Sequence, residues 1–143
     1  IGAMLAKEKV ATAFSPGMHG STFGGNPLAS AAGLATLKVI GAADFLENTQ
    51  EQSQYLQTEL LRLQGEFSFI KQIKGRGMLL GLEISGDATD IVKLALEEKL
   101  LILTAGPNVV RLLPPLTVSK QEINSFVQKF TKVLLKFREV QHG

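Results

Sequence analysis

Near the C-terminus, Ile123, Phe126, Val127, Phe130, Leu134 and Phe137 recur at intervals of three and four. That spacing marks one face of an α-helix, and a helix with a single apolar face needs a second layer to bury it. Ser119, with Glu122 three residues on, is the reciprocal capping pattern that starts such a helix. The second layer is legible upstream. Residues 69–74 and 78–84 are strand-like runs joined by Gly75-Arg76-Gly77, forming either an antiparallel pair or one bent strand. Residues 100–104 predict a strand, residues 105–108 a turn, and residues 109–113 a strand stopped by Pro114-Pro115. A polar helix over 43–64 has Leu46, Leu56, Leu60 and Leu63 as its buried stripe, and a shorter helix over 88–99 is capped by Asp87. From residue 41 the order is helix, strands, helix, strand, strand, helix. Residues 41–143 are therefore expected to form a small α/β domain, an α+β sandwich with helices against one sheet.

Residues 1–40 do not share this pattern. A small apolar segment runs to Ser15, interrupted by Ala6-Lys7-Glu8-Lys9, and Ser15-Pro16-Gly17 marks a turn. Asn26-Pro27 predicts a helix start, because asparagine caps well and proline is tolerated at the first helical position. The helix runs to about Ile40, with Gly41 as its stop. It is apolar almost all round, so burial on several sides is expected. Residues 1–40 thus resemble the end of another domain. The opening Ile1-Gly2-Ala3-Met4-Leu5 reads as the interior of a longer polypeptide, the plainer alternative being a trimmed N-terminus.

Composition closes off several function classes. With 45% hydrophobic and 20% charged residues, the chain can build a core. The net charge is +2 and the basic residues are interleaved with acids, so no nucleic-acid-binding stripe is expected. There is no cysteine, which removes disulfides and thiolate metal sites and fits a reducing compartment, the cytoplasm. No apolar run is long enough to span a bilayer, and no segment resembles a signal peptide.

Three places could carry chemistry. The first is His19-Gly20-Ser21-Thr22-Phe23-Gly24-Gly25-Asn26-Pro27-Leu28. Ser21 and Thr22 bring hydroxyl donors, the glycines permit close backbone approach, and a helix N-terminus follows. This chemistry suits a phosphate or carboxylate, although an ordinary glycine-rich turn capped by Asn26 accounts for the same residues. The Gly-Lys-Ser/Thr ending of a nucleotide-binding loop is missing. The second is Arg111, inside an apolar strand. It is expected to be partly buried and to need a carboxylate, from the protein or from a substrate. The third is His19, for which a structural, hydrogen-bonded role competes with a catalytic one. Arg76 reads as a turn residue and His142 as solvated. No metal-ligand spacing and no Ser-His-Asp set can be assembled. On these grounds a stand-alone module binding an anion or a partner protein stays open.

The segment "HGSTFGGNPLASAAGLATLKVI" resembles class III pyridoxal-phosphate-dependent aminotransferases. "IGAMLAKEKVATAFSPGMHGSTFGGNPL" and "NVVRLLPPLTVSKQEI" look most like the members acting on N-acetylornithine. The resemblance runs from Ile1 to the last helix. It implies the fold of the small C-terminal domain of a fold-type I transferase, over residues 41–143. Residues 1–40 would be the tail of the large cofactor-binding domain and its linking helix. It implies pyridoxal phosphate as cofactor, amino-acid and 2-oxo-acid substrates, and a homodimer in which Ser21 and Thr22 hold the phosphate of a cofactor seated mainly in the neighbouring subunit. Arg111 falls on the family's arginine that pairs with the substrate α-carboxylate, or with an active-site glutamate between half-reactions. The lysine that the family joins to its cofactor precedes the stretch on which this chain opens, and Lys7 and Lys9 match no such role. By the resemblance, then, these residues are a C-terminal part that is inactive alone. The shared loop does not separate ornithine or 4-aminobutyrate members from the N-acetylornithine type.

Overall fold

The computed structural model describes residues 1–142, and the side chains of Gln141 and His142 lie outside the described part, as does the expectation for His142. The described chain divides into two units, Ile1–Leu46 and Glu47–Gly143.

The first unit holds α1 (Glu8–Ala11) and α2 (Pro27–Ile40). The predicted start of α2 is observed: the Asn26 side chain accepts the Ala29 N–H at 2.8 Å, and Pro27 opens the helix. Gly41 follows its last residue. The expected burial is not observed, since α2 buries no residue and Leu28 is 82% exposed. Its sequence is apolar on all sides, but the unit contains no sheet against which those sides can pack.

The second unit is a two-layer sandwich. Helix α3 (Ala43–Glu66) enters it and is followed by β1 (Ile70–Arg76), β2 (Leu79–Ile84), α4 (Ala88–Glu97), β3 (Leu103–Thr104), β4 (Val109–Leu112) and α5 (Lys120–His142). The sheet order is β1-β2-β4-β3, and every neighbouring pair is antiparallel. β1 and β2 form a hairpin closed at Arg76↔Leu79. β1 does not stop at Lys74 as expected but continues to Arg76, so the turn is Gly77-Met78, with Gly77 at φ +59°. A glycine with positive φ at the first central position suits a two-residue hairpin turn. Gly75 is required for another reason: its φ is +111°, and a Cβ there would meet the Leu79 carbonyl oxygen at 2.1 Å.

One face of the sheet carries the core. Leu80, Leu82 and Ile84 of β2 and Val110 and Leu112 of β4 are buried against Leu56, Leu60 and Leu63 of α3 and Ile91 and Ala95 of α4. The α5 stripe completes this layer with Ile123, Val127, Phe130, Leu134 and Phe137 buried, and Phe126 half-buried. The capping box forms as the sequence predicts. The Ser119 N–H and hydroxyl both donate to Glu122 Oε2 at 2.8 Å, and the Glu122 N–H donates to Ser119 Oγ at 3.3 Å. Leu46 departs from the expected stripe and is 55% exposed. It lies about two turns before the first buried residue of α3 and belongs to the other unit.

The predicted strand over 100–104 shrinks to two residues. The Leu100 N–H is taken by the Ala95 carbonyl at 2.9 Å and the Lys99 N–H by the Leu96 carbonyl at 3.0 Å, with Lys99 at φ +56°. This is a Schellman close of α4, with lysine where glycine is usual. It consumes the residues that would have started the strand.

Candidate functional site

Each unit contributes one group of chemically equipped residues. In the first, the loop before α2 is held by its own polar atoms. Ser21 Oγ accepts the Gly24 N–H at 2.9 Å, and Asn26 Nδ2 donates to the Thr22 carbonyl at 3.1 Å. Gly24 allows this closure, because a Cβ there would lie 2.7 Å from Ser21 Oγ. The Ser21 oxygen acts as an acceptor, so its hydrogen remains free to donate outward. The Thr22 hydroxyl makes no hydrogen bond among the described residues, and both side chains are exposed. Ser21 and His19 line a cavity of about 670 Å³ whose other walls include Ile1, Phe14 and Phe23. His19 is exposed and makes no side-chain hydrogen bond among the described residues, contrary to the structural role weighed for it. The start of α2 adds the positive end of a helix dipole just after the loop.

In the second unit, Arg111 sits in the middle of β4. It is exposed, and among the described residues it makes no ion pair. This corrects the expectation of partial burial, and of the two carboxylates weighed for Arg111 the one from the protein is not observed among the described residues. Successive strand residues point to opposite faces, so Val110 and Leu112 take the core side and Arg111 the open side. Arg111 also borders a cavity of about 300 Å³ walled by Leu100, Ile102, Leu112, Pro114 and Phe126. The other charged residue on that wall, Glu122, has its carboxylate committed to Ser119, and those hydrogen bonds hold it below the usual carboxylate range. Arg76 ends β1, exposed and paired with Leu79 across the hairpin.

One cluster escaped the sequence reading. Glu83, on the same open face, pairs with Lys74 of β1 and accepts from Asn108 Nδ2 at 3.4 Å. The Lys74 hydrogen bond lowers the Glu83 carboxyl below its ordinary value, with smaller contributions from the Lys74 charge and Asn108. The signal was present in the alternation Leu80-Gly81-Leu82-Glu83-Ile84, which puts Gly81 and Glu83 on the face opposite the leucines. Only the ladder shows that this is the face of Arg111: Gly81 pairs with Arg111 and Glu83 with Val109. Glu83 is thus near Arg111 in the sheet, but its charge is already met by other donors. Ser21 and Thr22 belong to the first unit and Arg111 to the second.

The chain is 47% identical over 136 residues to an acetylornithine aminotransferase of Oceanobacillus iheyensis, covering 95% of this chain and 34% of that protein. It is 45% identical over 134 residues to the acetylornithine aminotransferase of Bacillus subtilis, covering 94% of this chain and 34% of that one. The chain therefore spans about a third of the length of the curated relatives it matches. Among solved structures, the N-acetylornithine aminotransferase of Stenotrophomonas maltophilia is similar with a TM-score of 0.75 at 30% identity, over 82% of this chain and 33% of that one. The ornithine delta-aminotransferase of Plasmodium falciparum is similar with a TM-score of 0.81 at 28% identity, over 94% of this chain and 35% of that one. The family model described as "Aminotransferase class-III" matches residues 1–134, nearly the whole chain, and this chain belongs to the class III aminotransferases.

Proposed function

We propose that this chain is the C-terminal part of an enzyme that moves the amino group of N-acetylornithine to 2-oxoglutarate in arginine biosynthesis. In this reading the enzyme is a cytoplasmic homodimer that uses pyridoxal phosphate. Residues 1–40 finish its large cofactor-binding domain, and residues 41–143 are its small domain. The observation that carries the reading is Arg111: a guanidinium on an open sheet face, beside an apolar cavity, with Glu83 and Glu122 each held by other donors. Such a fork of donors suits a carboxylate bound side-on, and lysine does not reproduce it. Arg111 therefore orients the substrate by its carboxylate.

The residues of the loop fit a phosphate group. Two exposed hydroxyls, a backbone drawn in by Gly24 and a helix N-terminus form a donor set of the right chemistry. Ser21 and Thr22 would hold the phosphate of pyridoxal phosphate seated mainly in the neighbouring subunit. When bound, that cofactor would supply the electron sink that lets the carbon bearing the transferred amino group give up its proton. The 143 residues include no lysine matched to the family's cofactor-linking one, so on their own they anchor ligands without moving protons.

A second reading has a specific observation behind it: the 0.81 TM-score to an ornithine aminotransferase. Steady-state kinetics of the full-length enzyme with N-acetylornithine, ornithine and 4-aminobutyrate as donors would decide. The proposal expects the highest kcat/KM for N-acetylornithine, and a preference for ornithine would replace it with the second reading.

A further inference from the structure

We infer that Gly81 determines how much room a substrate has beside Arg111, and so acts as a specificity-determining residue; the inference rests on Arg111 binding a carboxylate. Gly81 lies inside β2, where glycine weakens a strand and marks close approach by a ligand or another backbone. Its backbone does not call for glycine, since it lies outside the positive-φ region that Gly75 and Gly77 occupy. Packing does not exclude a side chain outright either. A Cβ at Gly81 would meet one neighbouring atom within 4 Å, Val109 Cγ1 at 3.0 Å, a contact that requires the valine to give by a few tenths of an ångström. No other heavy atom outside its chain neighbours lies within 4 Å of that Cβ.

That space has a charged frame. Across the open face the ladder sets Lys74, Gly81, Arg111 and Leu103 in one row. Side chains stand roughly perpendicular to a sheet, so the row has a cation on each side of a bare floor one strand wide, about 4.8 Å from either neighbour. Lys74 is neutralised by Glu83, whereas Arg111 is free. A carboxylate on Arg111 would therefore leave the rest of its carbon chain the bare Gly81 backbone to lie against. The ligand class is a carboxylate on a short carbon chain, and even one added methyl at position 81 competes for the same volume.

The test is the dissociation constant of glutarate, measured by calorimetry on the full-length enzyme and on Arg111→Ala, Gly81→Ala and the double variant Gly81→Ala with Val109→Ala. Gly81→Ala is expected to weaken glutarate about tenfold, the lower end of what one methylene is worth in a pocket. The double variant removes the Val109 contact and keeps the sheet relaxed, and it should stay as weak. Wild-type affinity in Gly81→Ala, or recovery in the double variant, would overturn the inference by showing that the methyl matters only to sheet packing or not at all. Unchanged glutarate binding in Arg111→Ala would instead remove the carboxylate reading on which the inference stands. Melting curves identify any variant that fails to fold, and the double variant keeps the question answerable if Gly81→Ala is that variant.

Discussion

Arg111 shows how little of a residue's environment its sequence neighbours decide. Val110 and Leu112 flank it, yet it is exposed, because β alternation sends those two neighbours to the other face. If it binds the substrate carboxylate, Arg111→Ala in the full-length enzyme should lower kcat/KM for the dicarboxylate half-reaction by roughly tenfold to a hundredfold, the worth of about 1.5–3 kcal/mol for hydrogen bonds to a charged group. An equal, small loss in both half-reactions would end that role. Lys74 offers a second test at this scale. It holds Glu83 on the face that Arg111 shares. Lys74→Ala should leave Glu83 free to compete for Arg111 and raise the KM for the 2-oxo acid, whereas Lys74→Ala with Glu83→Gln should bring that KM back. Kinetics of the two variants compare the outcomes directly.

Among the elements, the caps were legible and the strand ends were not. Asn26, Asp87 and Ser119 each accept from a backbone N–H two or three residues on, as their sequences predict. Capping is local, so four or five residues contain all of its chemistry. The C-terminal close of α4 is equally local, but its chemistry runs against the usual residue preference. Lys99 occupies a left-handed conformation that glycine normally fills, and so the strand over 100–104 was overestimated. Lys99→Gly should stabilise the protein by about 1 kcal/mol through relief of that conformation, read as a higher urea midpoint. No change would mean that the lysine side chain compensates elsewhere.

At the scale of the whole molecule, charge and apolar exposure make separate predictions. Glu83, Asp87, Glu98 and Glu122 all have their carboxyls lowered, chiefly by hydrogen bonds from Lys74, the Thr89 backbone, Lys136 and the Ser119 backbone respectively. A carboxyl lowered in the folded state contributes stability above its unfolded pKa, and that contribution is lost as pH falls through the folded one. The urea midpoint should therefore hold on descending from neutral pH to the ordinary carboxylate range and drop below it. A midpoint rising in acid would contradict these four interactions. Separately, the first unit leaves Leu28, Leu34, Leu37 and Val39 of α2 exposed, together with Met4, Leu5 and Phe23. Apolar exposure on that scale favours association, so light scattering of the 143-residue chain should show mass growing with concentration. A clean monomer over a wide range would count against it.

What the sequence determined by itself was whatever chemistry acts within a few residues or repeats with a fixed period. The capped helix starts, the α5 stripe and the hydroxyl loop before α2 are of this kind, and from their order followed the helix-on-sheet class. Tertiary structure alone decided which strands pair, which face of the sheet is open, and how Gly81, Glu83 and Lys74 come to stand around Arg111. β1 and β4 are separated by β2, α4 and β3 in the chain, and their shared face depends on a ladder register that no local pattern encodes. A one-residue slip in that register would turn Gly81 and Glu83 toward the core and leave the arginine without its surroundings.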